Sequence, residues 1–136
     1  MYLLDTNICV YTINNRPPSV RAKLKETDYR LVHLSSVSFA EFQYGAYKSC
    51  KTEESKKALR DFVKPFDLLD FNGEDAEAFG AIRAYLEKKG LAIGPYDMQI
   101  AAQALTRNLI LVTNNIREFE RIPHLRLENW AEETAL

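Results

Sequence analysis

The chain has 136 residues, 46% of them hydrophobic, which suits one ordinary domain with enough apolar material for a core. Its 18 basic and 19 acidic residues give a net charge of -1, so nucleic-acid binding would need a local basic patch or metal ions. Cys9 and Cys50 lack metal-ligand spacing and cannot form the disulfide framework of a small secreted domain. Without a leader-like segment or an apolar run of membrane-spanning length, we expect one cytoplasmic domain over residues 1–136.

Short apolar runs alternate with longer stretches of helical periodicity along the chain. This alternation predicts an α/β domain with a mainly parallel central sheet. The expected strands cover residues 2–4, 31–34, 68–71, 109–113 and 125–127. The expected helices cover residues 17–26, 37–49, 52–63, 74–90 and 94–108.

Acidic residues fall at the junctions where strands or loops lead into helices. Asp5 directly follows the first apolar run. Three further acids each stand three residues after a capping-type residue: Glu41 after Ser38, Asp97 after Gly94, and Glu118 after Asn115. Each pair has an ordinary explanation, because such residues cap helices and acids are favoured in the first helical turn.

The fold class gives the four acids a second interpretation. In an open parallel sheet the turns from strand to helix gather at the carboxyl edge, so acids distant in sequence can converge there. Clustered carboxylates repel one another unless a cation is present, and an all-oxygen ligand set favours Mg²⁺ or Mn²⁺ over Zn²⁺. His33 and His124 lie apart from the acid motifs, so we expect structural roles for both.

Four segments of the chain resemble one known family when they are considered in order. LLDTN, SFAEFQYG, GPYDMQIAAQA and LVTNNIREF are similar to motifs of the PIN domain, and specifically of the VapC toxins of toxin–antitoxin pairs. The resemblance extends over nearly the whole chain. IGPYD followed by the late TNN and REFERI segments is similar to the VapC group described as endonucleases of initiator tRNA.

The resemblance implies a three-layer α/β/α PIN fold and an acidic metal-binding core made of Asp5, Glu41 and Asp97. Many family members have a T-x-D motif after the late strand, whereas this chain has an amide there, at Asn115. Either Glu118 supplies the missing charge from one helical turn further on, or Asn115 ligates through its carbonyl oxygen. The resemblance does not decide whether one or two metal ions bind.

The implied activity is hydrolysis of RNA phosphodiester bonds assisted by Mg²⁺ or Mn²⁺, with initiator tRNA cleaved in its anticodon stem-loop. We expect Asp5 and Asp97 to bind the main ion, and Glu41 to hold a second ion or orient the attacking water. The residues expected to orient the carboxylates are Thr6, Asn7 and Thr113. The basic residues that are candidates for binding RNA phosphates are Arg16, Arg21, Lys48, Lys51, Lys56 and Lys57.

Three other functional classes fit parts of the pattern. A phosphatase that forms an aspartyl phosphate also uses an acid after its first strand, but it needs a second acid where this chain has Asn7. A receiver-like signalling domain would need an acid such as Asp70 and a lysine after the late strand, where none occurs before Arg117. An RNA-binding module without catalysis is the third, and metal-dependent RNA cleavage distinguishes the nuclease from all of them.

The resemblance also implies protein partners. A VapB-like antitoxin is expected to place a basic side chain among the acids, where a guanidinium can bridge two carboxylates, and toxin homodimers are expected within the complex. The apolar residues expected to contact the antitoxin helix are Val20, Leu24, Phe39 and Tyr47. Tyr11, Phe39, Tyr44 and Tyr47 exceed what one amphipathic stripe must bury, although core packing explains them equally well.

Overall fold

The computed structural model describes residues 1–131 and shows a five-stranded parallel sheet surrounded by helices. The strands are β1 (Tyr2–Leu4), β2 (Val32–Ser35), β3 (Asp67–Leu69), β4 (Ile110–Val112) and β5 (Leu127–Glu128). The α-helices are α1 (Thr6–Asn14), α2 (Pro18–Glu26), α3 (Ser36–Lys48), α4 (Thr52–Val63), α5 (Gly73–Lys88), α6 (Pro95–Thr106) and α7 (Ile116–Phe119). A short 3₁₀ turn, Tyr29–Leu31, precedes β2.

The strand order is β3-β2-β1-β4-β5, with β1 at the centre of the sheet. Tyr2 pairs with Val32 on one side and with Ile110 on the other, and every pairing is parallel. All strands therefore end at the same edge of the sheet, where α1, α3 and α7 begin. This topology confirms the predicted parallel sheet and brings the segments that carry the acids to one edge.

Helices cover both faces of the sheet. Leu3 and Leu4 are fully buried, yet Leu3 belongs to the core beneath α5 and α6, whereas Leu4 belongs to the core beneath α1, α2 and α4. Successive side chains of a strand point to opposite faces, so one apolar dipeptide contributes to both cores. The predicted three-layer α/β/α arrangement is confirmed.

Several local predictions are wrong in detail. Helix α1 is not among the helices predicted from the sequence. The first strand has its predicted bounds, whereas the ends of the other four strands differ from the prediction by one or two residues. Ser38 does not cap α3, because Ser35 accepts the hydrogen bond of the Val37 backbone N–H at 3.0 Å and the helix begins at Ser36. Ser38 instead lies inside the helix with no exposed surface.

The prediction that Val20 and Leu24 form a partner-binding surface is also wrong. Val20 is fully buried and Leu24 is 5% exposed, because both side chains pack in the core beneath α2. By contrast, Tyr44 and Tyr47 on α3 are 68% and 64% exposed. Of the two helices predicted to bind the partner, α3 therefore carries the exposed aromatic residues, whereas the apolar side of α2 packs in the core.

Two buried polar side chains join the elements around the sheet. Gln103 of α6 accepts a hydrogen bond from the Ser35 hydroxyl and donates one to the Leu69 carbonyl at 3.1 Å, so it links α6 to the ends of β2 and β3. Asp75, at the start of α5 and fully buried, accepts hydrogen bonds from Arg107 at 2.7 and 3.1 Å. Of the helices within residues 1–131, none has the length and apolar character needed to cross a membrane.

Candidate active site

Asp5 connects β1 to α1 at the centre of the sheet edge, and it is 3% exposed. Its Oδ1 accepts a hydrogen bond from the Ile8 backbone N–H at 2.8 Å, so the carboxylate caps α1. Burial raises the pKa of Asp5 to about 6, although hydrogen bonds from Thr113 and Ile8 oppose the shift; the nearby charge of Asp97 adds to it. Capping and membership of an acid cluster are therefore both true of this residue.

The Glu41 carboxylate accepts a hydrogen bond from one hydroxyl group of α1, and that hydroxyl also contacts a hydroxyl of α3. The Thr6 hydroxyl donates to Glu41 Oε1 at 3.3 Å, and Thr6 Oγ1 lies 2.9 Å from Ser38 Oγ. Burial raises the pKa of Glu41, the Thr6 hydrogen bond lowers it, and the charge of Asp97 raises it further. Ser38 was missed as a site residue because its spacing from Glu41 also matches a capping box.

Asp97 lies in the first turn of α6, which begins with Pro95 after Gly94. The side chain is half-buried, and burial together with the neighbouring charge of Glu118 raises its pKa. Asp97 also raises the pKa of both Asp5 and Glu41. It is therefore the electrostatic centre of the acid group.

The late loop places Asn115 and Glu118 side by side. Asn115 Nδ2 donates to Glu118 Oε2 at 2.9 Å, and the Asn115 backbone N–H donates to the Thr113 hydroxyl at 2.9 Å. Spacing alone left these two residues as alternatives, whereas the structure shows an amide that orients the acid. Glu118 acts on Asp97 through its charge.

A cavity of about 200 Å³ brings most of the predicted residues together. Its lining includes Asp5, Thr6, Asn7, Glu41, Tyr96 and Asp97. Thr113 lies behind Asp5 and hydrogen-bonds to its carboxylate. Tyr96 was not predicted, since a tyrosine between a proline and an aspartate carries no distinctive sequence signal.

The donor chemistry of this cavity suits a divalent cation. Within residues 1–131, no three His, Cys, Asp or Glu side chains already stand in an arrangement that could hold an ion. Nevertheless, three carboxylates border one cavity, and the charge of Asp97 raises the pKa of the other two, so a cation between them would relieve this repulsion. Oxygen donors alone favour a hard ion such as Mg²⁺ or Mn²⁺.

The basic residues proposed to contact RNA have varied surroundings. Arg21 donates to the Thr12 carbonyl at 2.8 Å and so closes the end of α1. Lys57 lies 3.9 Å from Asp61. The ammonium groups of Lys48 and Lys56 lie over the rings of Tyr44 and Tyr47, at 5.7 and 4.7 Å from the ring centroids. RNA contact stays a prediction for all six of these basic residues, including Arg16 and Lys51.

Neither histidine lines the acid cavity. His33 lies in β2 with its Nδ1 3.9 Å from Asp67, and burial lowers its pKa despite that carboxylate. His124 takes a left-handed backbone conformation with φ of 67° in a late turn. Both positions agree with the structural roles expected from the sequence.

Comparison with known proteins identifies the family. The PIN domain model matches residues 2–125. A tRNA(fMet)-specific endonuclease VapC of Salmonella typhimurium is 42% identical, with 95% of this chain and 97% of the relative covered. Ribonuclease VapC2 of Rickettsia felis is 45% identical, with 96% and 98% covered. The chain belongs to the VapC ribonuclease family of PIN domains.

Solved VapC structures share the fold. The crystal structure of VapBC2 from Rickettsia felis bound to a promoter DNA fragment superposes with a TM-score of 0.88 at 45% identity, covering 95% of this chain and 98% of that one. DNA-bound VapBC from Salmonella typhimurium gives 0.89 at 42% identity, covering 95% and 97%. The predicted membership of the VapC family is confirmed, and the acid cavity lies where the β1, β2 and β4 segments of this fold end.

Proposed function

We propose that this VapC chain is the ribonuclease toxin of a toxin–antitoxin pair and hydrolyses RNA phosphodiester bonds at the acid cavity. The observation that supports this function best is that Asp5 before α1, Glu41 of α3 and Asp97 of α6 converge on one cavity. Helix capping explains the position of Asp5, but it does not explain why three acids border one cavity, where the charge of Asp97 raises the pKa of the other two.

The carboxylates would hold the cofactor and handle a proton. Asp5 and Asp97 would bind Mg²⁺ or Mn²⁺, which when bound supplies Lewis acidity and neutralises phosphate charge. Thr6 holds Oε1 of Glu41, and Glu41 Oε2 would accept a proton from the attacking water as its oxygen bonds to phosphorus. The bond from phosphorus to the leaving ribose oxygen would break, and that oxygen would take a proton from solvent water. The raised pKa of Glu41 makes its carboxylate a better proton acceptor, while Glu118 adds negative charge beside Asp97.

Initiator tRNA is the proposed substrate, and its anticodon stem-loop the proposed place of cleavage. Two relatives, from Salmonella typhimurium and Shigella flexneri, carry the name tRNA(fMet)-specific endonuclease at 42% and 44% identity. Both matches extend over at least 95% of this chain, and the PIN domain match over residues 2–125 includes every segment that lines the acid cavity.

A VapB-like antitoxin is the proposed partner, with the toxin present as a homodimer in the complex. The similar solved structures from Rickettsia felis and Salmonella typhimurium are VapBC complexes. A half-open cavity bordered by three carboxylates would attract an antitoxin arginine that forms bidentate hydrogen bonds. Such a side chain would compete with the cation and with RNA at the same place.

The proposed function is tested with purified protein and isolated tRNA in Mg²⁺ buffer. We expect Asp5→Asn or Asp97→Asn to reduce cleavage of initiator tRNA at least about 100-fold, because each variant removes negative charge that holds the cation. Excess EDTA should have the same effect on the unaltered protein, because it removes the cation itself. Glu77→Gln, an exposed acid-to-amide change on α5, is the matched control and should cleave normally.

Undiminished cleavage by both site variants, or full activity in EDTA, would contradict the catalytic assignment. Cleavage of many RNAs with no preference for initiator tRNA would contradict the substrate assignment alone. In bacteria, expression of the chain should arrest growth, and co-expression of a small neighbouring gene should restore it through a complex that co-purifies. Harmless expression would overturn the toxin assignment while leaving the nuclease assignment intact.

A further inference from the structure

A second cavity adjoins the acid cavity and is larger, at about 690 Å³. Glu41 and Tyr96 line both cavities, so the two spaces share a wall. A polymer that is cleaved beside Glu41 must continue away from the acids in some direction. The second cavity is an open space that begins at the site itself.

The lining of the second cavity combines exposed aromatic rings with a small apolar surface. Tyr44 is 68% exposed and Tyr96 is 57% exposed, and Val37 and Ala40 of α3 line the same cavity. Large aromatic groups left this accessible next to a catalytic centre offer faces on which planar ligands can stack.

Polar and charged groups at the same cavity suit a nucleotide. Gln99 and Ser36 line it and provide an amide and a hydroxyl that can hydrogen-bond to the edge of a base. The Lys48 ammonium lies 5.7 Å from the centroid of the Tyr44 ring, which places a positive charge beside the aromatic surface. Aromatic faces next to cationic groups are the usual means by which proteins bind single-stranded nucleic acid.

We propose that this second cavity is a nucleobase subsite. It takes the unpaired base of a nucleotide next to the scissile phosphate, and that base contacts the rings of both Tyr44 and Tyr96 while Lys48 attracts the neighbouring phosphate. The subsite rests on the proposed ribonuclease function, because the acid cavity sets where the scissile phosphate lies. It predicts that the nucleotide at the cleaved bond is unstacked and single-stranded.

A second copy of the chain is the competing occupant. The cavity has a volume of about 690 Å³, which is within the range of sites that bind small molecules the size of a nucleotide. Glu41 would also be buried opposite its own equivalent or a neutral surface, which costs energy unless a cation is present. The size and the shared acid therefore favour a nucleotide.

The test measures RNA binding without cleavage, in an Asp97→Asn background. The probe is a fluorescein-labelled single-stranded RNA of about ten nucleotides that contains the bond cut by the active protein. By fluorescence anisotropy, Tyr44→Ala and Tyr96→Ala should each weaken binding by roughly 5- to 150-fold, the effect of losing one stacked base. Tyr44→Phe and Tyr96→Phe should bind within about twofold of the parent, since the ring remains.

A matched control is available on α5. Tyr85 is 38% exposed and the Lys89 ammonium lies 5.2 Å from its ring centroid, so this pair copies the spacing and chemistry of Tyr44 and Lys48 away from both cavities. Tyr85→Ala should leave RNA binding unchanged. RNA that lacks the base on one side of the cleaved bond should bind the parent protein as weakly as complete RNA binds Tyr96→Ala. The same shortened RNA should bind Tyr96→Ala no more weakly than it binds the parent, because the base and the ring belong to one contact.

Three results would overturn the subsite. Both alanine variants could bind as tightly as Tyr85→Ala, the phenylalanine variants could bind as weakly as the alanine variants, or removal of the base could add fully to the alanine effect. If light scattering shows that the alanine variants convert a dimer to a monomer, the cavity is an interface between copies. Failure of the unaltered protein to cleave RNA would refute the proposed function itself, whereas normal cleavage with unchanged binding by the variants refutes only the subsite.

Discussion

Replacing Asp5 with asparagine should make the metal-free protein more stable at neutral pH. Asp5 is 3% exposed, and its burial raises its pKa from 3.8 to about 6, so the folded chain must keep an unfavourable charge when the pH is above that value. Asparagine is nearly the same size and can accept the Ile8 N–H hydrogen bond through its side-chain oxygen, as a good N-cap residue does.

The size of the effect follows from the shift in pKa. A group that binds its proton more tightly when folded lowers the free energy of unfolding by about 1.4 kcal/mol per pKa unit once the pH exceeds both values. For Asp5 the cost is about 3 kcal/mol at pH 7.5, and it falls below about 1 kcal/mol near pH 4, where the unfolded chain is also becoming protonated. The free energy of unfolding of the asparagine variant should therefore be about 1–3 kcal/mol higher at pH 7.5. The gain can be smaller than the full value of about 3 kcal/mol because asparagine loses part of the hydrogen bonding with Thr113.

Urea denaturation followed by circular dichroism in EDTA measures this gain at pH 4, 5.5 and 7.5. Glu77→Gln on the exposed side of α5 is the control and should show no pH-dependent difference. A gain for Asp5→Asn that is the same at all three pH values would refute burial of the charge as its cause. Mg²⁺ added at pH 7.5 should narrow the difference, because only the aspartate protein has the full ligand set.

Two further predictions concern residues that hold others in place. Thr6→Val removes the hydroxyl that bonds to Glu41 and should reduce RNA cleavage 10- to 100-fold, whereas Thr6→Ser should stay near the original rate; equal rates for both would contradict the assignment. Burial acts to raise the pKa of Asp75, but hydrogen bonds from Arg107 and Thr106 hold it below its usual value. Arg107→Met should therefore lower the free energy of unfolding by about 3–5 kcal/mol at pH 7, measured by urea denaturation. This loss should become smaller as the pH falls below 3.8, because Asp75 then becomes protonated in the unfolded chain. A loss under about 1 kcal/mol at pH 7 would contradict the assignment.

The sequence predicted the sheet well because its signals are local. Each strand interior is a short apolar run, and the helices on both faces carry their own periodicity. Helix α1 was missed because Ile8, Cys9 and Val10 are consecutive apolar residues without a clear helical stripe. Val20 and Leu24 were assigned to a surface because a stripe shows which residues share a face, and only tertiary packing decides whether that face meets the sheet or a partner.

The candidate site was predictable to the extent that topology determines it. Parallel strands bring Asp5 after β1 and Glu41 after β2 to one edge regardless of side-chain detail. Asp97 reaches the same cavity from the first turn of α6, which follows α5 rather than a strand. The relation between Asn115 and Glu118 depends on one hydrogen bond of 2.9 Å, which spacing cannot distinguish from direct replacement of one residue by the other. The same holds for Ser38, whose position relative to Thr6 depends on where α3 begins.

The central position of β1 has a consequence during protein synthesis. Tyr2 is translated long before one of its two strand partners, Ile110. Asp5 also depends on this late segment, because its backbone N–H donates to the Val112 carbonyl at 3.0 Å. A nascent chain that stops before β4 contains Asp5, Glu41 and Asp97 but lacks the pairing that holds β1 in place. Topology thus delays assembly of the acid site until β4 has been translated and can pair with β1.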